Sequence, residues 1–191
     1  MRVILERSNL LKSLNHVHRV VERRNTIPIL SNVLLAAEGA SLEMKATDLD
    51  LEVTEATPAQ VEQGGATTVP AHLLYDIVRK LPEGAEVMLR SDEDGTAMTV
   101  ASGRSSFRLQ CLPQSDFPEL SAGSFSHIFR LDSTALKGLI DKTQFAISTE
   151  ETRYYPNGIF LHTLETGGKL KLRSVAPDGH RLARAEVDAP A

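Results

Sequence analysis

Ser174-Val-Ala-Pro-Asp-Gly-His-Arg-Leu-Ala183 reads as an apolar strand that runs into a turn and out again. Asp178-Gly179 after an apolar run is a turn signal, because glycine tolerates a positive φ and aspartate can bond its own backbone. Past the turn, His180 and Arg181 present donors beside the apolar Leu182. The pattern suits a shallow groove with an apolar floor and a few directed polar groups, of the kind that takes a short peptide. On its own the stretch is more simply a hairpin turn with solvated His180 and Arg181, since short motifs recur by chance.

The stretch has an earlier counterpart. Ser41-Leu-Glu-Met-Lys-Ala-Thr-Asp48 aligns with Lys171-Leu-Arg-Ser-Val-Ala-Pro-Asp178 at an offset of 130. Ser8-Asn-Leu-Leu-Lys-Ser-Leu14 aligns with Ser133-Thr-Ala-Leu-Lys-Gly-Leu139, and Asn32-Val-Leu-Leu35 with Asn157-Gly-Ile-Phe160, both at 125. Thr47-Asp48 is thus the first copy of the Pro177-Asp178 turn, and only the second copy adds His and Arg. A repeat of this length is domain-sized rather than solenoid-sized. The division expected is a first domain over 1–124 and a second over 125–191. The second copy stops at Ala191 before the helix and strands that follow the turn in the first, so it reads as incomplete and the chain as a fragment.

Between these anchors the periodicity alternates. Met1–Arg7 predicts a strand, and Ser8 an N-cap opening a helix to about Arg23. Leu10, Leu14, Val17 and Val21 fall on one face of that helix, and Lys12, His16, Arg19 and Arg23 on another, offset late by Glu22 alone. Pro28 breaks the helix. Strands are predicted over 32–37, 41–47, 49–56 and near 66–69; in the third, Leu49, Leu51 and Val53 alternate with polar residues. Pro70 opens a second helix to about Leu81, with Leu74, Ile77, Val78 and Leu81 inward. Strands follow over 86–90, 97–101 and 106–112. A connector, 113–126, carries Phe117 and Leu120 as pinned apolar residues. After it come a strand over 127–131, a cap at Asp132-Ser133, a helix over 135–147 and strands over 158–163, 170–175 and 182–187. The class is α+β, with each repeat built of helices packed on antiparallel sheets.

Hydrophobic residues make up 41% of the 191, enough to bury a core, and charged residues 24%. Cys111 is the one cysteine, which excludes an internal disulfide and fits a reducing, cytoplasmic compartment. No CxxC or HExxH spacing occurs, so neither a structural metal nor a cofactor is expected. The N-terminus has no long apolar run, which argues against a signal peptide or a membrane helix. Net charge is −4, yet residues 1–24 hold six basic and two acidic residues, leaving 15 basic and 23 acidic in the remainder. That asymmetry suggests one face for a polyanion on an acidic body.

Thr67-Thr-Val-Pro-Ala71, Leu81-Pro-Glu-Gly-Ala-Glu86, Ser102-Gly-Arg-Ser105, Asp116-Phe-Pro-Glu-Leu120, Arg153-Tyr-Tyr-Pro-Asn-Gly158 and Asp178-Gly-His-Arg-Leu182 together resemble the bacterial DNA polymerase III β subunit, the sliding clamp. These motifs occur in order over the whole chain, which corresponds to roughly the N-terminal half of that family. The resemblance implies a DNA clamp fold, repeated domains of two helices on antiparallel sheets, assembled as a head-to-tail dimeric ring around double-stranded DNA. It assigns DNA contact to Arg24, Tyr154 and Tyr155, and the basic stripe adds Arg19 and Arg23. It assigns Pro156, Pro177, Gly179, His180, Arg181 and Leu182 to a pocket for clamp-binding peptides. The partners implied are the DNA polymerase III α subunit, clamp-loader subunits and other proteins with such a motif. Arg104 and Leu109 match the edge that meets a second subunit in the homodimer. The chain departs from the family pattern at Glu150 for a glutamine, Pro156 for a leucine, Pro177 for a threonine and Ser106 for an arginine. Glu150 would repel phosphate, and the two prolines bear on peptide preference.

The reading is therefore a non-catalytic processivity factor that touches phosphates without reading bases, for which an acidic net charge is no obstacle. A peptide-docking module without DNA encirclement is the alternative. A hydrolase built on Ser174, Asp178 and His180 is disfavoured, because there is no nucleophile elbow and Asp48, the counterpart of Asp178, has no histidine after it.

Overall fold

The computed structural model describes residues 1–22, 26–119, 128–149 and 157–189. The chain divides into two compact units, Met1–Ser121 and Ala122–Ala191.

The first unit opens with β1 (Arg2–Glu6) and α1 (Arg7–Val17). Leu10, Leu14 and Val17, one helical stripe, are fully buried, and Val21 beyond the helix end is nearly so. Ser8 is not the N-cap: it lies inside the first turn, where its hydroxyl donates to Glu6 Oε1 at 2.8 Å. The helix also ends earlier than its periodicity suggested. His18 N–H still reaches the Leu14 carbonyl, but Arg19 and Val20 donate only three residues back, the tighter pattern of a fraying end.

A 3-10 turn, Pro28–Ser31, leads into β2 (Asn32–Glu38), β3 (Ser41–Thr47), β4 (Glu52–Pro58), β5 (Gln60–Gln63) and β6 (Gly65–Pro70). Next come α2 (Ala71–Lys80), β7 (Glu86–Ser91), β8 (Ala97–Ser102) and β9 (Ser105–Gln110). The strands form two antiparallel sheets ordered β5-β1-β7-β8-β9 and β4-β3-β2-β6. Both helices bury their apolar stripes in one core with the sheets; Leu74, Ile77 and Val78 of α2, and Leu81 just past its end, lie there as their spacing predicts. Arg7 bridges to the far end of α2, its Nε donating to the Val78 carbonyl at 3.1 Å and its Nη2 to that of Arg79 at 2.7 Å. Phe117, on the chain leaving the unit, is buried against Ile29 and Leu30, whereas Leu120 lies outside the described residues.

The third strand departs from its alternation. It begins at Glu52, and Leu49 and Leu51 are exposed loop residues. Asp48 sets this loop: its Oδ1 accepts from the N–H of Asp50 and of Leu51, and Leu49 takes a left-handed φ of 81°.

The second unit holds α3 (Ser133–Asp141), a 3-10 turn (Gln144–Ala146), β10 (Phe160–Thr166), β11 (Lys169–Pro177) and β12 (Leu182–Asp188). The strands pair in sequence order. Asp132 is the expected cap, its Oδ1 accepting from the N–H of Thr134 and Ala135. The strand predicted over 127–131 does not form at its described residues, 128–131, and Ile128 is 85% exposed. The helix predicted to reach Ile147 stops at Asp141. Among the described residues no helix is long and apolar enough to cross a membrane.

Candidate functional site

The groove in the second unit is built from two directions. On one side, Thr143 ends α3. Its buried hydroxyl donates to the Leu139 carbonyl at 2.8 Å, one turn back, competing with continuation of the helix. The 3-10 turn that follows buries Ala146 and leaves Phe145 58% exposed. On the other side, β11 sends Leu172, Ser174 and Ala176 inward at the period of a strand. Ser174 Oγ donates to the same Leu139 carbonyl at 3.1 Å. That buried, committed hydroxyl is no exposed nucleophile, which removes the serine from any triad with His180.

From Pro177 the chain enters the loop. Asp178 N–H donates to the Arg181 carbonyl at 3.2 Å. Its Oδ1 accepts from the N–H of His180 at 3.0 Å and of Arg181 at 2.9 Å, while Oδ2 accepts from Arg181 Nε at 2.7 Å. The two backbone donors, and then the guanidinium, hold the carboxyl down at about 2. Gly179 supplies the left-handed corner, φ 89°. Arg181 also carries its guanidinium carbon to 5.5 Å from the centre of the Phe145 ring, within cation–π range.

Between the walls lies an open cavity of about 240 Å³, lined by Phe145, Ile147 and Thr149 facing Asp178, His180 and Arg181. That volume suits one side chain of a ligand rather than a whole small molecule. His180 and Arg181 line it as the motif suggested. Leu182 does not: it opens β12 at 64% exposure, outside the lining. The apolar share comes from Phe145 and Ile147 instead, in the stretch where the apolar spacing predicts a longer helix. Pro177 is half-buried at the end of β11 and Gly179 exposed in the loop, and Pro156 lies outside the described residues.

The basic stripe of α1 is only partly in view. Lys12 and Arg19 are exposed. His16 is not without a counter-charge, since its Nδ1 lies 2.7 Å from Glu55 Oε1 on β4. Glu22 is therefore not the sole acidic neighbour of the stripe. The segment after α1 is pinned to α2: His18 stacks on Tyr75 at 3.9 Å between ring centres, and His72 Nε2 donates to the Val21 carbonyl at 2.8 Å. Arg23, Arg24, Glu150, Tyr154 and Tyr155 lie outside the described residues.

At the other candidate interface, Arg104 is exposed in the turn between β8 and β9, and β9 is an edge strand. Leu109 on that strand turns its side chain into the core, 1% exposed. It can offer a partner only its backbone edge.

Two helix-and-sheet units along one chain, sharing the Asp48 and Asp178 turns, define a protein of the clamp type. The chain belongs to the DNA polymerase III β subunit family: residues 1–121 match its N-terminal domain and residues 130–191 its central domain. It is 55% identical over 190 residues to the beta sliding clamp of Caulobacter vibrioides strain NA1000 / CB15N, covering 100% of this chain and 51% of that protein. The beta sliding clamp of Escherichia coli strain K12 is 44% identical over 184 residues, with 96% and 49% covered. A solved sliding clamp from Bartonella birtlesii, bound to griselimycin, is similar at a TM-score of 0.94 and 59% identity, covering 100% of this chain and 50% of that one. One from Caulobacter crescentus gives 0.93 and 55%, with 100% and 51% covered. The chain spans about half the length of the curated relatives it matches.

Proposed function

We propose that this chain is part of a sliding clamp, a non-catalytic processivity factor that encircles double-stranded DNA in the cytoplasm and docks partner peptides in the groove of its central domain. Membership of the β subunit family, carried through both domains in order, supports this reading most. In it, residues 1–124 form the first clamp domain and 125–191 part of the second. Arg19, Arg23, Arg24, Tyr154 and Tyr155 touch the phosphate backbone. The Arg104–Leu109 edge pairs with a second copy in the full-length ring. Peptides of the DNA polymerase III α subunit, of clamp-loader subunits and of other motif-bearing proteins share the groove.

The test is retention on circular DNA by the full-length protein. Changing Arg19, Arg23 and Arg24 together to Glu should shorten retention, increasingly so as salt rises, because each phosphate contact releases counterion. Retention unchanged at every salt would sink the DNA reading. Peptide binding by that same variant would then favour the second reading, a docking module without encirclement, for which the groove between Phe145 and Arg181 is the supporting observation.

A further inference from the structure

The segment after α1 is fastened to α2 and to the core at named atoms. Val21 buries its side chain, 4% exposed, while its carbonyl accepts from His72 Nε2 at 2.8 Å. His18 lays its ring on Tyr75, 3.9 Å between centres and 7° from parallel, and meets the His72 ring at right angles, 5.6 Å away. Its Nδ1 lies 2.7 Å from the Leu14 carbonyl, which the His18 N–H also reaches at 3.0 Å. Arg79 stands over the Tyr75 ring, its guanidinium carbon 5.8 Å from the centre. A carbonyl can only accept, so each histidine carries a proton on the nitrogen that faces one. His72 Nδ1 is left inside the fold, buried and with no hydrogen-bond partner among the described residues. An orphaned ring nitrogen costs desolvation that an apolar side chain would not. Packing alone would be served better by a leucine or a phenylalanine at that position. What only a donor supplies there is the bond to Val21.

We infer that His72, supported by the His18–Tyr75 stack, is a positioning residue for phosphate contact: it fixes the non-helical backbone that presents Arg19. This rests on the DNA reading above. Arg19 is exposed and stands two residues before the Val21 carbonyl, and Arg23 follows two residues after it in the sequence. The helical ladder no longer governs this stretch, since the N–H groups of Arg19 and Val20 reach only three residues back, at 3.4 and 3.3 Å. A backbone left loose here would have to be ordered afresh at each phosphate, an entropy loss that weakens the contact. The His72 bond makes that ordering a property of the free protein.

The experiment measures retention of the full-length protein on circular DNA over a range of salt. His72→Phe keeps a ring and removes the donor, whereas His72→Gln keeps a donor near the same place. His72→Phe should shorten retention about two- to tenfold, the span of one net hydrogen bond, and His72→Gln should restore most of it. With Arg19, Arg23 and Arg24 all changed to Ala, His72→Phe should have no further effect, because the coupling passes through those side chains. Equal losses with and without the arginines would make His72 a purely structural residue and overturn the inference, as would retention unchanged by His72→Phe. A triple alanine variant retained like wild type at every salt overturns the DNA reading and this inference with it. If His72→Phe unsettles the first unit, Tyr75→Leu carries the test, since it removes the stacked ring and spares the Val21 bond. It should shorten retention too, and lose that effect in the same alanine background.

Discussion

Leu49 and Gly179 hold the same left-handed corner, φ 81° and 89°, in hairpin loops 130 residues apart. In each loop the preceding aspartate donates its N–H to the carbonyl three residues on at 3.2 Å. In each its Oδ1 accepts the two backbone N–H groups beyond the corner. The loops differ in what fills the corner. Glycine holds that φ freely, whereas a residue with a Cβ is disfavoured there by about 1–2 kcal/mol. Leu49→Gly should therefore stabilise the protein by up to about 1 kcal/mol, once glycine's added unfolded-state freedom is subtracted. Gly179→Ala should destabilise by a similar amount. Chemical denaturation of both variants checks the pair, and a loss on Leu49→Gly would show that the leucine side chain contributes more than its backbone costs.

Arg7 joins the start of α1 to the carbonyls at the end of α2, where a cation complements the helix dipole. Arg7→Ala should destabilise the first unit by about 1–2 kcal/mol, through two charge-assisted hydrogen bonds that are only partly shielded from water. Arg7→Lys should recover only part, having one point of donation in place of a fork. Thermal melts read both, and a silent Arg7→Ala would mean that water serves those carbonyls equally well.

The carboxyl of Asp178 lies at about 2 in the folded chain, against 3.8 ordinarily. A depressed value contributes stability that is complete above the ordinary value and is lost as pH falls through the folded one. The β11–β12 loop should thus stay ordered on acidification to about pH 4 and loosen between there and about pH 2. The amide shifts of His180 and Arg181, followed by NMR, report it directly. A midpoint near the ordinary 3.8 would show that the backbone donors are not engaged in solution.

Leu182 separates folding from docking. It is 64% exposed, so Leu182→Asp should leave stability within about 0.5 kcal/mol of wild type, as surface changes do. Its side chain lies outside the cavity lining, so a short peptide seated between Phe145 and Arg181 should lose affinity only modestly, through the new carboxylate next to Arg181. His180→Ala should only weaken it. DNA retention should survive both changes. Near-complete loss of peptide affinity in Leu182→Asp would place the docking surface over β12 rather than between Phe145 and Arg181.

Burial of Leu10, Leu14, Val17 and Val21, and of the α2 stripe, was legible because a helix repeats its inward face every three or four residues. The paired Asp48 and Asp178 turns were legible because their chemistry is local. Leu49 and Leu51 misled for the complementary reason. They alternate like inward strand residues, but the Asp48 carboxylate captures the following backbone and turns both out. β5 was missed because Gln60–Gln63, short, polar and at a sheet edge, carries almost no pattern. Phe145 was hidden by Thr143, whose hydroxyl ends α3 in a way that no hydrophobic period records. The apolar lining of the groove therefore went unseen, while its polar rim, His180 and Arg181, stood in a motif.

Leu139 offers one carbonyl oxygen to two hydroxyls, that of Thr143 on the way to Phe145 and that of Ser174 on the way to Asp178. Both walls of the groove thus share that single atom as an anchor, although β11 is also held in its sheet by β10 and β12. Ser174→Ala would unfasten one wall from it while touching nothing that lines the cavity. The gap between Phe145 and Arg181 would then widen and narrow with thermal motion, and a peptide would have to still it before settling.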